Sequence, residues 1–205
     1  MRTSVILLIL SLFILSCQNE SEKSLPILGN HEINGTDTLY HKIPPFNFVN
    51  QNNKNIDNNN LAEYIYISDF FFMSCPSICP KVKKQMLRIY DKHNSNDLIK
   101  FVSHTIDPKR DTPERLKMYA DNLEVNHDKW YFLSGSKDSL LDMAEAYFVA
   151  AYEDPDAPGG FDHSGKILLV DTNGYIRAFC DGTDKDEVDA FMRDIDKLVA
   201  EYASR

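Results

Sequence analysis

Cys75 and Cys79, separated by Pro76-Ser77-Ile78 and followed by Pro80, are the residues in this chain best equipped to do chemistry. They fall where an apolar, β-rich run, Tyr64–Met73, gives way to a helical pattern, so both thiols are expected near a helix N-terminus. Unpaired backbone N–H groups there favour negative charge and lower a thiol pKa. Lys81, Lys83 and Lys84 are read as adding positive potential beside them. A thiolate is the form needed both to ligate a metal and to exchange disulfides. One more intervening residue than in the CxxC of oxidoreductases lets two sulfurs spread around one soft ion. A local structural disulfide is the alternative, although closing so short a loop adds little entropic stability.

The other reactive side chains are scattered. His163 follows a loop containing Pro155, Pro158, Gly159 and Gly160; on its own such a histidine reads as solvated or as a core residue. Its neighbour Asp162 either orients that ring or is a solvated carboxylate. Asp107, Arg110 and Asp111 are expected to fix a loop through ion pairs and helix capping. Cys180, at the end of a strand, reads as a buried inert thiol, with a third redox partner as the minority view.

The elements that must position these groups are legible from Tyr64 onward, with weaker signals before it. Phe46 and Phe48 alternate like a short strand, and the Asn-rich stretch Asn50–Asn60 reads as turns. Tyr64–Met73 is a buried-strand pattern, and a helix follows Cys79 with Val82, Met86, Ile89 and Tyr90 as its apolar stripe. Leu98–Thr105 and Lys129–Leu133 read as strands. Thr112-Pro113-Glu114 opens a helix, and Leu140, Ala144, Tyr147 and Phe148 mark another that ends before the loop Glu153–Gly160. Asp171-Thr172-Asn173-Gly174 joins the strand Lys166–Val170 to Tyr175–Phe179 as a hairpin. Thr183 and Asp186 suggest a capping box for a last helix striped with Val188, Phe191, Met192, Ile195, Leu198 and Val199. Strand–helix alternation ending in a hairpin and helix predicts an α/β fold, a mixed central sheet with helices on both faces, in the order of a thioredoxin-like fold. An extra N-terminal hairpin is expected with it.

The first residues stand apart. Arg2 precedes an apolar run from Val5 to Leu15, too short to span a bilayer and typical of a signal-peptide core. Ile14-Leu15-Ser16-Cys17 resembles a bacterial lipobox, which implies cleavage before Cys17, lipidation of its thiol and a membrane-anchored N-terminus. An ordinary secretory peptide or a short uncleaved anchor are the alternatives. Residues 1–16 are thus expected as signal peptide, 17–43 as a tether and 44–205 as the folded domain. That organisation places the domain in the cell envelope, facing the periplasm, in an oxidising compartment. The net charge of −9 over 205 residues argues against nucleic-acid binding, which calls for a basic patch. Nothing calls for a partner chain, and a monomer is expected.

Three segments together carry a family resemblance. Phe71–Pro80 is similar to the CPxxCP segment of the Sco/SenC family, Ser103–Pro113 to its DPxRDTP stretch, and Phe161-Asp162-His163-Ser164 to its DHS segment, all in family order. The likeness spans about residues 44–200. It implies a thioredoxin-like fold in which Cys75, Cys79 and His163 bind copper. The implied role is delivery of copper to, or reduction of the thiols of, the copper site of cytochrome c oxidase. Two thiolates and an imidazole suit Cu(I), and the same set with an added oxygen ligand suits Cu(II). The Pro/Gly loop before His163 is expected to let the imidazole swing to the sulfurs as copper arrives. His104 departs from the family pattern of an apolar strand residue; a hydrogen-bonded strand histidine is expected, an auxiliary ligand being the lesser alternative. A metal-free envelope thiol–disulfide oxidoreductase is the rival function. A thiol peroxidase fits the paired cysteines and distant histidine poorly.

Overall fold

The computed structural model describes residues 24–203; the expected signal peptide, residues 1–16, and the expected lipidation site Cys17 lie outside them. The strands are β1 (His31–Asn34), β2 (Asp37–Tyr40), β3 (Asn47–Asn50), β4 (Asn55–Asp57), β5 (Ile65–Phe71), β6 (Ile99–Thr105), β7 (Trp130–Ser134), β8 (Ala151–Glu153), β9 (Phe161–His163), β10 (Lys166–Val170) and β11 (Ile176–Asp181). The helices are α1 (Cys79–His93), α2 (Pro113–Asn122), α3 (Lys137–Ala146) and α4 (Lys185–Ala203). Seven strands form one sheet in the order β11-β10-β5-β6-β7-β3-β4. β5, β6 and β7 run parallel, and the outer strands join antiparallel.

Every residue of β5 is buried, Ser68 and Asp69 included, and most of them are apolar because a central parallel strand is covered on both faces. Alternation along it sorts the two layers. Phe71 stacks on Tyr119 of α2 and lies under Lys83 of α1, whereas Phe70 meets Tyr147 at the end of α3. Helices therefore cover both faces, as expected of a thioredoxin-like fold.

Several local expectations are corrected. The Asn-rich stretch is ordered: Ile56 is buried in β4, and a 3₁₀ turn follows at Asn58–Asn60. Its backbone is satisfied by its own polar side chains, Asn50 Oδ1 accepting from the N–H of Asn52 and of Lys54, and Asp57 Oδ1 from that of Asn59. The last helix is capped by Asp184, whose Oδ1 accepts from Asp186 and Glu187 backbone N–H, while Thr183 is bound to Asp181. Part of the stretch read as a tether packs on the domain. Leu25 is buried, and the carbonyls of Leu25 and Pro26 accept from the buried Arg177, itself held by Asp171. Residues 31–40 form an exposed two-stranded hairpin, β1–β2.

His104 sits fully buried in β6, in an aromatic nest of Phe46, Phe48, Phe70 and Tyr147. Neither ring nitrogen has a hydrogen-bond partner, contrary to the hydrogen-bonded histidine expected. The side chains around it are aromatic, so they supply packing in place of acceptors.

Candidate metal centre

The centre is assembled at the end of β5, the start of α1 and strand β9. Pro80, in the first turn of α1, has no N–H to leave unsatisfied, so the helix starts cleanly at Cys79. The β8–β9 pairing sets Ala151 opposite His163 and Tyr152 opposite Asp162. His163 thus points inward, 7% exposed, at the end of a short strand for which the sequence gives no strand signal. The donor atoms of Cys75, Cys79 and His163 all lie within 4.8 Å of one another. His163 Nε2 is 3.2 Å from Cys79 Sγ, so no swing of the imidazole is needed to bring it to the sulfurs. Its Nδ1 faces the Ser164 carbonyl at 3.2 Å. A carbonyl only accepts, so a proton on Nδ1 is held there and leaves the Nε2 lone pair for a metal, whereas a proton on Nε2 is donated toward the sulfurs.

Both cysteines are free thiols, and their environments differ. Burial opposes ionisation of Cys75, but the Cys79 backbone N–H, His163, and the backbone and hydroxyl of Ser77 outweigh it, holding the thiol down at about 6. Burial pushes the Cys79 thiol well above its ordinary value, and its hydrogen bond to Cys75 adds to this. One thiolate is therefore preformed beside a protonated partner. Two sulfurs and a ring nitrogen, buried and converging, are donors that fit a soft, low-coordinate cation.

The remaining sequence-predicted residues lie elsewhere. Asp162 is exposed and accepts from Tyr152 Oη at 2.7 Å; strand alternation turns it away from the His163 ring, so it does not orient that ring. Cys180 is buried outside the cluster, its thiol pushed up to about 12 by burial, then by Glu187 and Asp181, as suits an inert residue. Asp111 Oδ2 accepts from Thr105 Oγ1 at 2.7 Å and from the Met73 N–H at 3.0 Å, two residues before Cys75. Capping of α2 falls to Thr112.

Lys83 does not add its charge at the thiols. It is turned into the core, where Nζ lies 3.4 Å from Asp69 Oδ2 and 3.3 Å from Ser103 Oγ. The rings of Phe71 and Trp130 stand 4.7 and 4.8 Å from the ammonium. This buried ion pair beneath the centre was missed from sequence. Its one signal was an aspartate in the middle of the apolar run that makes β5, a position where an ionised group requires a partner.

The SCO1/SenC family model matches residues 35–200. The SCO2-like protein of Rickettsia typhi is 34% identical over 156 residues, covering 72% of this chain and 74% of that protein. BsSco, a member of the Sco family of cytochrome c oxidase assembly proteins, superimposes with a TM-score of 0.67 at 27% identity, over 77% of this chain and 93% of its own. Arabidopsis thaliana ScoI with copper bound superimposes with a TM-score of 0.65 at 25% identity, over 78% and 98%. A family match across most of the length, joined by relatives of like sequence and fold, has one consequence: the chain belongs to the SCO1/SenC family.

Proposed function

We propose that this protein is a copper carrier whose cargo is held by Cys75, Cys79 and His163, and that it supplies copper to the copper site of a respiratory cytochrome c oxidase. The single observation that carries the reading is the imidazole: His163 Nε2 stands 3.2 Å from a cysteine sulfur, and disulfide exchange alone needs no third donor. Copper suits this donor set because thiolate sulfur selects Cu(I), and a third nitrogen ligand completes its low coordination. Copper bound in the Arabidopsis relative and the assembly role of BsSco support the same reading. The test is an anaerobic Cu(I) titration against a chromophoric chelator. One tightly held equivalent is the expected result. A reduced protein that leaves all the copper with the chelator overturns the proposal.

A second reading, reduction of a partner's disulfide to two thiols as Cys75 and Cys79 become a disulfide, is favoured by the asymmetry of the pair. A thiol held near 6 beside one kept protonated is the arrangement of an attacking and a resolving cysteine. Both roles use the same sulfurs and can reside in one protein.

Export and anchoring belong to the proposal as well. The single basic residue, apolar run and lipobox-like Ile14–Cys17 support a lipid on Cys17, with the domain in the periplasm. Radiolabelled palmitate is expected in the wild-type chain and absent from Cys17→Ser; equal labelling of both would exclude this anchor.

A further inference from the structure

We propose that Arg110 is a positioning residue that holds His163 within reach of the two sulfurs, an inference that rests on reading Cys75, Cys79 and His163 as the metal donors. The loop between β6 and α2 grips both ligand-bearing segments through adjacent residues. Asp111 takes the Met73 N–H, on the cysteine side. Arg110 Nη2 donates to the Gly159 carbonyl at 2.8 Å, on the histidine side. The guanidinium is itself aimed by Nε, which donates to the buried carboxylate of Asp107, whose own N–H is held by Thr105 Oγ1 at 3.0 Å.

Gly159 is the residue on which the two segments close. Its φ is +88°, and a Cβ there would meet the Phe72 ring at 2.6 Å and the Ser74 carbonyl at 3.4 Å. The Phe72 ring in turn meets the His163 ring edge-on at 5.5 Å. The β8–β9 hairpin that carries His163 has three pairs of residues and forms a sheet of its own. Isolated two-stranded hairpins are marginally stable, so contacts from outside must hold it in place. The Arg110 bond supplies one at the loop tip. The Arg110 side chain is 47% exposed, so truncating it opens no cavity and spares the core.

The expected results of Arg110→Ala, and of the milder Arg110→Gln, are faster amide exchange across residues 158–164 of the copper-free protein and Cu(I) affinity lower by about 10–100-fold, the range for partners outside the ligand set. Arg110→Lys should not restore it, because one ammonium cannot reproduce the fork that serves Asp107 and Gly159 together. In a His163→Ala background, Arg110→Ala should cost no further affinity. An equal cost with and without His163, or unchanged exchange in the loop, overturns the proposal. Faster exchange in Arg110→Ala, together with a wild type that takes up no copper, would support the brace and sink the copper reading.

Discussion

His163→Ala is expected to weaken Cu(I) binding more than about 100-fold, beyond the range of changes outside the ligand set, while leaving a reversible Cys75–Cys79 disulfide. The imidazole enters the cluster from β9, which is separate in chain and in sheet from the element that carries both thiols. Its loss therefore subtracts a donor and leaves the dithiol intact. Cys79→Ser is expected to abolish both copper retention and disulfide formation, because it removes the sulfur that both require. Cys75→Ser should do the same, and should also remove the one thiol held near 6. Competition with a chelator reads the first property, and a thiol-alkylation mass shift before and after oxidation reads the second. Wild-type copper affinity in His163→Ala would make the dithiol the whole site and favour the reductant. Loss of binding in Cys180→Ser alone would show that the ligands had been misassigned.

His104→Phe is expected to stabilise the protein at neutral pH by about 1–3 kcal/mol, the cost of leaving a buried polar group unpartnered, and to reduce its sensitivity to acid. Burial holds the His104 imidazole down at about 3, against an ordinary value of about 6.5 in the unfolded chain. Below that value the unfolded state binds a proton that the folded state refuses. Folding stability therefore falls as pH falls, by about 1.4 kcal/mol per unit, through the window from about 6.5 down to about 3. Above the window the two states bind the same number of protons there and the slope vanishes. Urea unfolding of wild type and variant at pH 7, 6 and 5 isolates the effect, since other groups titrate in both and cancel in the difference. A gap near 2 kcal/mol wider at pH 5 than at pH 7 is expected. The same gap at both values would mean that the ring finds a partner in solution.

The buried pair of Asp69 and Lys83 and the unpartnered His104 occupy opposite faces of the same two strands. β5 and β6 pair Asp69 with Ser103 and Phe70 with His104, so neighbouring residues look into different layers. On the α1 side the charge is answered by an ammonium, a hydroxyl and aromatic faces. On the α3 side the imidazole is answered by rings alone. One strand register thus provides for one buried polar group and leaves the next uncompensated.

The amino-acid sequence by itself determined, but for the short strands β4, β8 and β9, the order of the central strands and the helices, the apolar stripe of α1, the Asn173-Gly174 hairpin and, through a family motif, which three residues stand as candidate donors. Each is a local pattern or a motif, so neighbouring residues carry the information. Only the tertiary structure decided what those donors meet. Residues 84 positions apart, Cys79 and His163, become neighbours because β9 pairs with β8 and turns its histidine inward. The same pairing turns Asp162 out, a choice of face that a one-residue change of register would reverse and that a short loop-like sequence does not reveal. Lys83 likewise belongs to a run of lysines in sequence and to a buried ion pair in space, because its helix position, and not its charge, selects the face on which it lies.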